Sequence, residues 1–150
     1  MKRGYFFLGI TALSSLLLAG DKKPDAAKST DEKPCLANFS EEGSFMSGKT
    51  YKTFQEFPKM DRGRAIEKMA QTIAGDGWQG MTVNKDIGVI TAVQTVSYGK
   101  GKQSPLNVVA KNLDSGAVRV EAVFVTSGGV KVKTKDMQDE FCKILASAAE

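Results

Sequence analysis

The chain has 150 residues, 21 Lys and Arg against 17 Asp and Glu for a formal net charge of +4, and no histidine. That length leaves room for one domain of ordinary size, and the charge excess is too mild for nucleic acid, which meets dense basic faces. The absence of His excludes Ser–His and Cys–His catalysis, His-ligated zinc and a histidine pH switch together.

Lys2 and Arg3 precede an apolar run from Tyr5 to Ala19 that closes on Leu16-Leu17-Leu18-Ala19-Gly20. A basic start, a short apolar segment and small residues predict a secretory signal peptide over residues 1–20. Fifteen or so helical residues reach roughly 22 Å, short of a ~30 Å hydrocarbon core, so the run suits export better than permanent anchoring. Leu-Ala-Gly resembles the lipobox of bacterial lipoproteins, in which the next residue is the Cys that receives the lipid. Here that place is held by Asp21. Soluble-type cleavage after Gly20 or Ala19 would leave Leu18 or Leu17 where a small residue is wanted. Three readings stay open: a Cys missing near Asp21 that would carry a lipid tether, slow release at a poor site, or an uncleaved signal anchor. Without Lys2 and Arg3 the remainder carries 19 basic against 17 acidic residues, a net of about +2.

Residues 21–43 read as a flexible tether. The stretch from Asp21 to Pro34 holds no large apolar side chain, balances Lys against Asp and Glu, and contains Pro24 and Pro34. Such a segment buries too little surface to offset its ordering entropy. Cys35 and Cys142 form an even pair, which in an oxidising compartment predicts one disulfide. It would close a loop of roughly 100 residues, worth about 4–5 kcal/mol on the chain-entropy model. The alternative is a free Cys35 in the tail and a small buried Cys142.

From Ser44 the chain becomes periodic and defines a domain over 44–150. Lys49 to Phe57, rich in Thr and aromatics and stopped by Pro58, reads as a strand. Asp61 caps a helix whose Ile66, Met69, Ala70 and Ile73 repeat at three and four, ended by Gly75-Asp76-Gly77. Trp78 follows and reads as core, with a ligand platform as the other role. Met81–Val83, Gly88–Val96, Leu106–Leu113, Ala117–Thr126 and Val130–Val132 continue as a meander of half-buried strands. A final helix from Lys135 to Ala149 carries the apolar stripe Met137, Phe141, Ile144, Leu145 and Ala148. The sum is an α+β two-layer sandwich, an antiparallel sheet of about five to six strands with two helices on one face.

The run Arg64-Ala65-Ile66-Glu67-Lys68-Met69-Ala70 to Gly77-Trp78, then Asp86-Ile87-Gly88-Val89-Ile90-Thr91-Ala92, resembles small bacterial envelope lipoproteins. In outline it is similar to the helix-over-sheet domains of the NlpB-type lipoproteins, which accompany the barrel-assembly machinery of the outer membrane. The resemblance implies binding to other envelope proteins rather than catalysis, and transfers no individual residue.

Candidate chemistry is sparse. Tyr98, Lys100 and Lys102, with Gly99 and Gly101 between them, offer amides and ammonium groups to an anion, without the spacing of a phosphate loop. Lys131, Lys133 and Lys135 form a second basic strip, read as an outer strand protected from edge pairing, of which Lys131 and Lys133 are the binding candidates. With Trp78 these make the candidate binding surface. Asp76 and Asp86 lie in turns, where Asp is favoured for local hydrogen bonds. No catalytic residue, metal or cofactor is expected. Two functions follow: a non-catalytic module of a Gram-negative periplasm, membrane-associated, that binds an envelope protein or a membrane surface; or a periplasmic protein that binds an apolar or anionic small molecule. They part on whether the sandwich encloses a cavity of several hundred cubic ångströms.

Overall fold

Asp61 sits in extended geometry and its carboxylate accepts the Arg64 amide at 2.7 Å, which satisfies one of the orphan donors at a helix start. The helix it begins runs Arg62–Gly75 and buries Ala65, Ile66, Met69, Ala70 and Ile73. Its end is a Schellman cap. The Gly77 amide bonds the Ala74 carbonyl and the Trp78 amide the Ile73 carbonyl, with Gly77 at φ 82°, where a side chain would be strained.

That helix is the second of three in a computed structural model that describes residues 33–95 and 101–150. In chain order the elements are α1 (Pro34–Ala37), β1 (Ser40–Ser44), β2 (Gly48–Phe57), α2 (Arg62–Gly75), β3 (Gln79–Asn84), β4 (Val89–Thr95), β5 (Gln103–Asn112), β6 (Val118–Val125) and α3 (Thr134–Ser147). The six strands form one antiparallel sheet in the order β1-β2-β6-β5-β4-β3. After the β1–β2 hairpin, α2 carries the chain to the far edge. The meander then returns strand by strand until β6 closes against β2.

Alternation decides which side of the sheet is core. Tyr51, Thr53 and Phe57 of β2 point the same way as Val118, Val120, Ala122 and Phe124 of β6, and all are buried. Leu106, Val108 and Ala110 of β5 and Ile90 and Ala92 of β4 continue that face. Against it α3 lays Met137, Phe141, Ile144 and Leu145, the predicted stripe. The opposite face carries Phe54, Arg119, Glu121, Val123 and Val109, half-buried at most by their neighbours in the sheet. The Arg119 guanidinium lies 4.1 Å over the Phe54 ring there.

Three expectations need correction. Among the described residues there are three helices, not two: the single turn α1 places Cys35 under α3, and the Cys35 carbonyl accepts the Thr53 hydroxyl at 2.5 Å. Residues 33–43 of the expected tether belong to the folded domain, since β1 pairs Ser40 with Lys52 and Glu41 with Tyr51. Val130–Val132 is not a strand. β6 is hydrogen-bonded on both sides, by β2 and β5, so the chain leaving it finds no free edge. It turns at Gly128-Gly129 and runs on toward α3, burying Val130 and packing Val132 on the core, and the Tyr51 hydroxyl donates to the Val132 carbonyl at 3.4 Å. The leader and residues 21–32 lie outside the described residues, as do Tyr98 and Lys100.

Candidate functional site

Cys35 and Cys142 are bonded, with Cα atoms 5.4 Å apart across 107 residues of sequence. The bridge pins α1, the entrance of the domain, to the middle of α3 at its exit. An even cysteine pair closed in this way fits an oxidising compartment.

Trp78 is a buried residue rather than one presented on an open surface. Left 8% exposed, it stands edge-on to Phe124 with ring centroids 5.6 Å apart, and its indole N–H donates to Glu140 Oε1 of α3 at 2.8 Å. Beside it is a gap between α3 and the sheet, lined by Asp76, Gln94, Val132, Asp136 and Met137 as well. The gap measures about 170 Å³, below the several hundred typical of ligand sites. Its mouth is acidic, and Asp76 is already paired with Lys143, whose pKa that bond raises. Two wider hollows, of about 410 and 500 Å³, lie at the rim of the helix layer beside exposed Lys59, Lys33, Asp139 and Lys143.

Asp76 and Asp86 sit at opposite ends of β3, one before it and one in the turn after it. The Asp86 carbonyl accepts Arg62 Nη2 at 2.7 Å, while the Asn84 side chain accepts the Asp86 and Ile87 amides within the turn. They form no acid–base pair. Among the described residues, no group of three His, Cys, Asp or Glu side chains is arranged to hold a metal ion, and no helix is long and apolar enough to cross a membrane.

Lys102 and Lys131 do come together at the end of the sheet where the β1–β2 hairpin meets the β6–α3 segment, with Lys133 further along that segment. The hairpin tip is locked to the β6–α3 segment. The Gly129 amide donates to the Phe45 carbonyl at 2.8 Å, Thr126 N to the Lys49 carbonyl at 2.8 Å, and Lys49 N to Thr126 Oγ1 at 2.9 Å. A Cβ on Gly128 would stand 2.2 Å from the Met46 carbonyl oxygen, so only glycine allows this approach. Lys102 Nζ donates to the Gly128 carbonyl at 3.0 Å. At the apex, Met46 is 82% and Phe45 50% exposed. Phe45 also forms a wall of an apolar hollow of about 320 Å³ with Lys49, Val130, Lys131 and Val132.

Electrostatics hold the hairpin from below. Glu41 accepts hydrogen bonds from the Lys49 ammonium and the Thr134 hydroxyl, which keep its carboxyl below the usual carboxylate range. The same bond from Glu41 raises the Lys49 pKa, and burial raises that of Tyr51. The lysines at this end were legible in the sequence, but Phe45 and Met46 were missed. The available signal was two large apolar residues framed by Gly43-Ser44 and Ser47-Gly48, a turn whose apex has nothing to pack against.

No family model and no curated protein matches this chain. Among solved structures, the crystal structure of Ara h 8.0201 aligns over 69% of this chain and 99% of its own, at 10% identity and a TM-score of 0.41. At that score the likeness carries neither a function nor a residue to this protein.

Proposed function

We propose that the protein is a non-catalytic module of a bacterial envelope, exported and membrane-associated, that works by docking an envelope protein or surface against its exterior. The carrying observation is the filled interior: Tyr51, Phe124, Phe141, Ile66, Met69, Leu106, Ile144 and Leu145 are fully buried, and the gap left beside Trp78 is about 170 Å³. The leader chemistry supports the address, the Cys35–Cys142 bond agrees with an oxidising compartment, and the locked loop end supplies a rigid contact surface. A second reading, a small molecule held between α3 and the sheet, draws on the same gap with its Trp78 and Phe124 walls.

Thermal unfolding of the full chain with a panel of fatty acids, lysophospholipids and aromatic acids separates the two. A ligand at a hundred times its Kd stabilises by about 2.7 kcal/mol, a shift of several degrees in a domain of this size. Docking from the exterior predicts no shift that depends on the gap. A saturable shift abolished by Met137→Trp, which fills the gap, would move the assignment to ligand binding.

A further inference from the structure

We infer that the locked hairpin tip is a wedge for anionic lipid bilayers: Phe45 and Met46 enter the acyl boundary while Lys102, Lys131 and Lys133 meet the phosphates. The inference rests on the docking reading above and names its occupant.

Shape and charge carry it together. Met46 is the most exposed large apolar side chain among the described residues, and it lies at a convex hairpin apex rather than in a groove. A protein partner is normally met by a flatter patch with a desolvated centre. A bilayer accepts a small apolar projection provided that cations surround it at headgroup level. Here they do. Lys102 donates to the Gly128 carbonyl beside the apex, Lys131 lines the hollow that Phe45 walls, Lys133 follows two residues along the same segment, and none of the three takes part in an ion pair among the described residues. Their aliphatic stems can lie along the apolar wedge while the ammonium groups stay at the phosphates.

The nearby carboxylates leave this basic collar in place. Glu41 is engaged by Lys49 and Thr134, Asp136 lines the gap beside Trp78, and Glu42 sits on the edge strand opposite Thr50. Rigidity matters as well. The Gly129–Phe45 bond, the Gly128 approach and the Lys102–Gly128 bond hold apex and collar in one body, so little ordering entropy is lost on docking.

The test uses the full chain carrying Met46→Trp and reads the emission of that residue after subtraction of the parent, in which Trp78 is buried. Vesicles are phosphatidylcholine alone or phosphatidylcholine with phosphatidylglycerol. An apolar leader partitions into either bilayer, so the environment of residue 46, not binding itself, is the readout. The inference predicts a blue shift with the anionic vesicles alone, quenched by lipids brominated high on the acyl chain and reversed by salt. Lys131→Ala with Lys133→Ala on that background should weaken the lipid dependence about fivefold per lysine, with the melting temperature unchanged. No shift with anionic vesicles, an equal shift with both, or a shift only when envelope protein is added overturns the inference. The unfolding panel tests docking separately, so failure of the lipid occupant and failure of docking are distinguishable.

Discussion

Trp78 is held by two directional contacts, the indole bond to Glu140 and the edge-on approach to Phe124. Trp78→Phe keeps most of the apolar volume and loses the donor, and Glu140, half-buried, can still reach water. The expected loss is about 1 kcal/mol by urea unfolding, with Glu140→Gln, which keeps an acceptor, costing less. Glu41 gives a pH signature. Its folded pKa is depressed, chiefly by the Lys49 hydrogen bond, so its contribution is fully present above the ordinary value of 4.5 and fades as pH falls through the lowered value. The stability difference between the parent and Glu41→Gln should therefore be constant from neutral pH down to about the ordinary value of 4.5, and shrink from there until pH has fallen through the lowered value. A difference that grew on acidification would contradict the assigned bonds. Sequence alone placed Trp78 in the core, yet no local pattern could name Glu140, which lies 62 residues away.

Elements with their own punctuation were the legible ones. Asp61, the three-and-four repeat and Gly75-Asp76-Gly77 delimit α2 without help from the rest of the chain. Asp61→Ala should cost about 1 kcal/mol and Asp61→Asn only a few tenths, measured as shifts in the unfolding midpoint. The strand expected at Val130–Val132 failed for a reason that no local pattern contains. Alternation reports which side chains are buried, and Val130 is buried while Lys131 is not. Whether a segment joins a ladder depends on a free edge, and β6 has none. β1 failed in the opposite sense. Ser40-Glu41-Glu42-Gly43-Ser44 has no apolar alternation and is a strand because β2 offers an edge to pair with. Edge strands of this polar, short kind resist pairing with other chains.

At the scale of the whole molecule, the order strand, helix, meander, helix was enough to place both long helices on one face of an antiparallel sheet. The closure of β6 on β2, more than sixty residues apart in sequence, has no local sequence signal, because a pairing that distant depends on the whole chain's topology. The Cys35–Cys142 bond ties these distant parts together, since α1 and α3 come from opposite ends of the domain. Cys35→Ser with Cys142→Ser should cost about 4–5 kcal/mol on the chain-entropy model, read by chemical unfolding against the oxidised parent. An intact mass that rises by two hydrogens on reduction checks the bond itself.

The claim on which the account turns is that this protein works from the loop end of its sheet and not from its interior. Amide chemical-shift mapping of the full chain, with and without anionic lipid bicelles, tests it in one experiment. The account predicts perturbations concentrated at Phe45, Met46, Lys102, Gly129 and Lys131. Perturbations gathered instead at Trp78, Phe124 and Met137, around the gap between α3 and the sheet, would contradict it.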